Sequence, residues 1–166
     1  MFREISINDL TCNPFNVFNH DWALVTAGNN QKFNTMTISW GQMGTLWNKN
    51  VITVFIRPQR YTHEFMEEFD QFTVSFYNKD MREALTYCGH HSGRDEDKVK
   101  ACGLTPISDV DTTYFNEAKL VFKCKKIYQD EIKPNGFLDS SINNQYPTAD
   151  YHTAYIGEIT QILSNK

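Results

Sequence analysis

What most limits the fold of this chain is a succession of six segments dense in β-branched and aromatic residues, spread from residue 22 to residue 163. They are W-A-L-V-T-A (22–27), T-M-T-I-S-W (35–40), V-I-T-V-F-I-R (51–57), F-T-V-S-F-Y (72–77), A-K-L-V-F-K-C-K-K-I-Y (118–128) and Y-H-T-A-Y-I-G-E-I-T-Q-I-L (151–163). That composition suits pleated strands. The first two segments flank the turn residues G-N-N-Q-K (28–32) and read as a hairpin. Helical signals are short. Thr62 is expected to cap H-E-F-M-E-E-F, residues 79–87 place Met81 and Leu85 on one face, and a third helix is expected to start near Ser92 to Asp95 and end at Gly103. Six or more strands with short helices at their ends predict a mainly β chain, an antiparallel barrel with the helices packed around it.

At 166 residues the chain has the size of one domain, and no repeat, low-complexity tract or linker divides it, so residues 1–166 read as a single unit. The longest irregular piece, 133–150, has a length that is uncommon unless the segment binds something or packs as a lid. Sixteen Lys and Arg against 20 Asp and Glu give no global attraction for nucleic acid or an anionic membrane, so an anion must be caught by local donors. Cys12, Cys88, Cys102 and Cys124 form no C-x-x-C pair, and neither a disulfide framework nor a redox motif is expected. The N-terminus lacks an apolar leader core and no run approaches a membrane span, so a cytoplasmic protein with reduced thiols is expected. The chain contains no G-x-G-x-x-G, P-loop, G-x-S-x-G or H-E-x-x-H motif, and the enzyme classes built on those motifs lose support.

Four stretches carry candidate chemistry. Strand alternation puts Thr35, Thr37 and Ser39 on one face and Met36, Ile38 and Trp40 on the other. The hydroxyl row fits either a solvated face or donors beside a polar ligand, with G-Q-M-G (41–44) permitting close backbone approach. In R-P-Q-R-Y-T-H-E (57–64), Arg57, Arg60, Thr62 and a helix N-terminus are what a phosphate needs, although surface arginines beside an ordinary cap fit as well. In C-G-H-H-S-G-R-D-E-D-K (88–98), adjacent His90 and His91 point different ways, so no metal is expected. The same run fits a solvated helix start, or an anion cradle made by Ser92, Gly93, Arg94 and Lys98. Asp150 and His152 fit a proton donor with its orienting carboxylate, or a structural histidine. Cys88 and Cys102 read as buried small apolar side chains.

Taken in order, N-T-M-T-I-S-W-G-Q-M-G (34–44), R-P-Q-R-Y-T-H-E (57–64), F-T-V-S-F (72–76), C-G-H-H-S-G-R-D-E-D-K (88–98), C-G-L-T (102–105) and D-Y-H-T-A-Y-I-G-E-I (150–159) resemble the flavin reductase-like family of FMN-binding split barrels. The resemblance implies a six-stranded Greek-key split β-barrel with short peripheral helices, homodimeric, holding FMN non-covalently near the subunit interface. It implies that Asn34, Thr35, Met36, Thr37, Ser39 and Trp40 run beside the isoalloxazine and ribityl chain. By the same resemblance Arg57, Arg60 and Thr62 lie near the phosphate, and Ser92, Gly93, Arg94 and Lys98 complete that end. His152 then sits by the flavin where nicotinamide stacks. The expected activity is hydride transfer from NAD(P)H to FMN and onward to free flavin, oxygen or an electron-acceptor protein. The alternative is an electron carrier of the flavoredoxin kind, without direct nicotinamide activity.

Overall fold

The computed structural model describes residues 1–165. Ten strands are assigned among them: β1 (Arg3–Glu4), β2 (Ala23–Gly28), β3 (Phe33–Ile38), β4 (Gly41–Leu46), β5 (Lys49–Ile56), β6 (Gln71–Phe76), β7 (Pro106–Ser108), β8 (Thr113–Phe115), β9 (Leu120–Glu131) and β10 (Thr153–Ser164). The helices are α1 (Pro14–Asn16), which runs into a π-helical stretch at Val17–Asp21, then α2 (Tyr61–Glu68), α3 (Arg82–His90) and α4 (Lys98–Ala101).

One antiparallel sheet follows the order β3-β2-β6-β9-β10-β5-β4, with β1 added against β10, and β7 and β8 form a separate hairpin. The ends of that path, β3 and β4, are joined only by Ser39 and Trp40. Three residue steps reach about 11 Å, whereas seven strands laid flat would span roughly 29 Å. The sheet must therefore roll up until its two edges meet, and no ladder pairs β3 with β4. This is a split barrel, mainly β as expected, with a seven-strand path rather than six.

The alternation read from the sequence sorts the two cores. Ala23, Val25 and Ala27 of β2 join Met36, Ile52, Val54, Phe72, Val74, Phe122 and Tyr155 inside the barrel. Leu24 instead faces Tyr77, Leu85, Cys88, Phe115 and Val121 in an outer cluster, and α3 packs against β3 there. Bulges at Ile156/Gly157 and Ile159/Gln161 bend the long β9–β10 ladder. Gly157 is needed there, since a Cβ would lie 2.6 Å from the Phe72 ring and 2.8 Å from Cys124 Cβ.

Several local expectations are corrected. G-Q-M-G opens an edge strand, β4, paired with β5 through a two-residue turn in which Trp47 and Asn48 take positive φ (52° and 57°). Thr62 is the second residue of α2 rather than its cap; Arg60 holds the cap position and makes no side-chain capping bond. The expected helix from Ser92 to Gly103 is a tight turn followed by the four-residue α4, because Asp97, not Ser92 or Asp95, accepts from Lys100 N–H and starts it. Residues 133–150 hold two 3-10 turns, Pro134–Gly136 and Ser140–Gln145. No helix among the described residues is long and apolar enough to cross a membrane.

Candidate active site

Where β3 leaves the sheet and β5 ends, a cleft of about 210 Å³ opens, lined by Met36, Thr37, Ser39, Trp40, Phe55, Arg57, Arg60 and His152. Seven of the fourteen residues expected at the site meet here. A larger apolar cavity of about 620 Å³ adjoins it and shares Ser39, Trp40 and Phe55, with Phe15, Phe18 and Tyr146 on its other walls. Phe15, Phe55 and Tyr146 were not expected at the site.

Arg60 leads from the cleft to a second group at the start of α2. There Asn34 Nδ2 donates to Thr62 Oγ1 at 2.8 Å, both side chains being buried. Gly93 lies against this pair so closely that a Cβ would sit 2.1 Å from Asn34 Oδ1. Ser92 Oγ accepts from Arg94 N–H at 3.2 Å, which shapes the turn. The helix begins at this corner without a side-chain cap, the N–H of His63 being taken by Arg60 O at 2.9 Å, and a helix start carries the positive end of the dipole.

The expected cations are placed nearby but are already engaged. Arg57 pairs with Asp150 at 2.6 Å, donates to Gln145 O at 2.8 Å and stacks its guanidinium 4.9 Å over Tyr146, which fastens the 133–150 segment to the barrel. Arg60 donates to Gly89 O at 2.9 Å. Lys98, buried, donates to Cys88 O and His91 O at 3.2 and 3.0 Å. Both therefore sit at the C-terminal end of α3, where carbonyls lack helical partners and the dipole is negative. Burial lowers the pKa of each, and the nearby Arg60 charge lowers that of Lys98 further. Arg94 pairs with Glu64, donates to Gln59 O at 3.1 Å and covers the Tyr61 ring.

Packing already engages two of the expected hydroxyls. Thr35 lies on the face sequence alternation assigned to it, but that face is sealed: Thr35 is fully buried, 2.8 Å from Thr26 Oγ1 and donating to Val25 O. Thr37 lines the cleft while its hydroxyl donates to Leu85 O of α3.

His152 is buried, its ring centroid 5.2 Å from that of Trp40. Its partner is Tyr146, whose hydroxyl lies 2.8 Å from Nδ1, and not Asp150, which is held by Arg57 and by Gln59 at 2.6 Å. Burial, with the Arg57 charge adding to it, lowers the imidazole pKa to about 4, so His152 is neutral at pH 7. The two histidines of the 88–98 run hydrogen-bond helix carbonyls, His90 to Thr86 and His91 to Tyr87. No group of three metal-ligating side chains occurs among the described residues. Cys88 and Cys102 are free, their sulfurs 3.8 Å apart, and burial pushes the Cys88 thiol up to about 12. The arrangement lacks a nucleophile with a base. It offers aromatic and imidazole faces, a run of backbone and amide donors, and a wall stiffened by cations.

A family model described as "Flavin reductase like domain" matches residues 15–166. Among solved structures, the chain is similar to an FMN-binding domain of a flavin reductases-like enzyme from Shewanella baltica, at TM-score 0.70 and 19% identity over 99% of this chain and 77% of that one. It is similar to the flavoredoxin of Desulfovibrio vulgaris, at TM-score 0.69 and 24% identity over 99% and 78%. A third likeness is to nitrilotriacetate monooxygenase component B from Bacillus cereus, at TM-score 0.67 and 17% identity over 96% and 80%. At such identities these likenesses establish the fold. No match to a curated protein was found.

Proposed function

The chain belongs to the flavin reductase like domain family, and on that premise we propose that it is an FMN-binding oxidoreductase taking hydride from NAD(P)H and passing electrons to free flavin, oxygen or a partner protein. Bound FMN supplies the redox chemistry, so the chain needs no acid, base or nucleophile constellation of its own. The observation that carries the reading is the pairing of two neighbouring regions: the rings of Trp40 and His152 line a cleft that Arg60 also lines, and directly after Arg60 α2 starts without a side-chain cap, where Asn34, Tyr61, Gly93 and Lys98 line a second pocket. A planar ring system joined to a phosphate needs two such regions side by side.

In this reading Met36, Ser39 and Trp40 hold the ring. Asn34, Thr62, Ser92, Gly93 and Arg94 serve the phosphate with amide, hydroxyl, N–H and guanidinium donors. Arg57, Arg60 and Lys98 act through the walls they brace. Thr35 is left out. The apolar cavity sharing Trp40 and Phe55 is proposed for the nicotinamide, whose ring buries well against Phe15 and Phe18. A homodimer is proposed from the unpaired edge of β4 and the exposed Trp47 and Tyr128, whose rings lie 5.9 Å apart; sedimentation at micromolar protein checks it, and a monomer refutes it.

The test is anaerobic and optical. Protein loaded with FMN is mixed with NADH or NADPH, and bleaching of the flavin absorbance within seconds supports the reductase. A flavin that stays oxidised with both nucleotides, yet is reduced by dithionite, assigns the chain to electron carriage instead. Protein that binds no added FMN overturns both.

A further inference from the structure

Tyr146 stands in the irregular segment, yet it is among the most closely held residues of the site. Its ring stacks on Phe137 at 6.0 Å, lies 5.0 Å from Tyr151 and carries the Arg57 guanidinium on its face. The chain then doubles back: Ala149 takes φ 56° and donates its N–H to Tyr146 O at 3.1 Å. Residues 146 and 152 are brought together across this bend, their rings edge to face at 78° with centroids 5.5 Å apart.

A buried phenol needs an acceptor for its proton. Among the described residues, the one hydrogen-bonding neighbour of Tyr146 Oη is His152 Nδ1. A proton on Nδ1 would leave the phenol proton with no acceptor, so the phenol donates and Nδ1 accepts. A neutral imidazole then carries its hydrogen on Nε2. Nε2 has no protein partner among the described residues, and His152 lines the cleft beside Trp40.

Resting on the flavin reading above, we propose that Tyr146 is a positioning residue that fixes His152 as a neutral imidazole presenting Nε2–H to the cleft, a hydrogen-bond donor to an acceptor atom of the bound planar ligand rather than a source of protons. The charged groups facing His152 agree with this role. Arg57, just after β5, opposes an imidazolium; Asp150, which favours one, is ion-paired with Arg57 and hydrogen-bonded by Gln59 and is outweighed; Arg60 adds a further positive charge on the cleft wall. Burial acts in the same direction as Arg57.

The test reads the imidazole nitrogens of the ligand-free protein by proton–nitrogen correlation NMR, with His152 assigned by loss of its signals in His152→Gln. The expected pattern is a protonated Nε2 and a bare Nδ1; a protonated Nδ1 overturns the proposal. In Tyr146→Phe the bare Nδ1 loses its donor, so the His152 titration midpoint should rise by roughly one pH unit. An unmoved His152 midpoint also overturns it. If Tyr146→Phe does not fold, the wild-type tautomer still decides. FMN titration supplies the ligand arm: His152→Gln, whose amide keeps an N–H near the Nε2 position, should bind FMN about tenfold more tightly than His152→Leu. Equal affinities of the two variants remove the donor role. A protein that binds no FMN refutes the flavin reading and leaves the tautomer result standing, so the two failures are distinguishable.

Discussion

Gly93→Ala is the most direct probe of the corner proposed for the phosphate. The new methyl would lie 2.1 Å from Asn34 Oδ1, 3.2 Å from Asn34 Cγ and 3.3 Å from Tyr61 Cδ1. Gly93 is not among the residues with positive φ, so the backbone accepts alanine, and the stiffer unfolded chain stabilises the fold by about 0.4–1 kcal/mol. Against that, Asn34 must move, and it is buried with its amide on Thr62 at 2.8 Å. Overpacking of this kind costs about 1–3 kcal/mol, and a buried polar group that loses its partner costs a similar amount. The contact term wins, with a net loss of roughly 1–2 kcal/mol, or about 2–8 °C in Tm for a chain of this length. Guanidinium unfolding at constant m measures it. The cause is tested by a double-mutant cycle: in an Asn34→Ala background the two Asn34 contacts are gone and only the milder Tyr61 Cδ1 contact at 3.3 Å remains, so Gly93→Ala should become close to neutral, a coupling of about 1–3 kcal/mol. FMN affinity should fall by about tenfold in the single variant, since a charge-assisted bond to the displaced turn is weakened. Equal destabilisation in both backgrounds, or no change in either, would refute the close-approach argument.

The remaining predictions concern charge and packing. Thr35→Val should destabilise the chain by about 1–3 kcal/mol by leaving Thr26 Oγ1 without its buried partner, yet leave FMN affinity within twofold; a large loss of affinity would put Thr35 back in the site. His152 binds protons less readily folded, at about 4, than unfolded, at about 6.5. The unfolded state therefore takes up the extra proton between these values, and stability should fall as pH drops from 6.5 to 4, by at most about 3 kcal/mol; urea midpoints of wild type and His152→Gln should converge over that window. Asp109 acts in the same direction at lower pH: burial raises its pKa, but the hydrogen bond from Lys123 and the N–H groups of Asp111 and Thr112 prevail and hold it at about 2. Its stabilisation is complete above about 4 and lost as pH falls toward 2, a loss that Asp109→Asn should abolish in acid titrations followed by circular dichroism. Arg57→Ala should speed proteolytic cleavage within 133–150, because that residue's contacts with Asp150 and Gln145 fasten the segment; an unchanged cleavage rate would remove it as the fastening.

The barrel was legible because its strands bury one or both faces, and burial leaves a pattern. V-I-T-V-F-I-R at 51–57 and the 151–163 run correspond to β5 and β10 within two residues at most of their boundaries. β4 was not legible, since it is an edge strand with four of its six residues exposed and little apolar alternation, and its turn uses Trp47-Asn48 where Asn-Gly is the usual signal. The hydroxyl row of β3 shows a subtler limit. Alternation correctly put Thr35 and Thr37 on one face, but whether that face meets solvent, ligand or another element depends on where α2 and α3 fold back, and both contact β3. Tyr146 was invisible for the same reason, its partner lying six positions later across a bend that a left-handed Ala149 creates.

The positive side chains carry this limit into function. Side-chain type alone suggests that Arg57, Arg60, Arg94 and Lys98 are free to hold an anion, because the groups that compete for them are mostly backbone carbonyls, which every residue has and no sequence marks. Gly89, Cys88, His91, Gln145 and Gln59 each supply such an acceptor here. A phosphate entering this corner gains full strength from a cation only by displacing one of those bonds, each worth about 1.5–3 kcal/mol when one partner is charged. The start of α2 imposes no such exchange, since it has no side-chain cap to displace. The cheapest recognition therefore runs through N–H groups and the Asn34–Thr62 pair, with the cations holding α3, the 88–98 turn and the 133–150 segment at fixed distance around them. On this argument replacing Lys98 by Met should lower stability more than FMN affinity, and replacing Thr62 by Val should do the reverse.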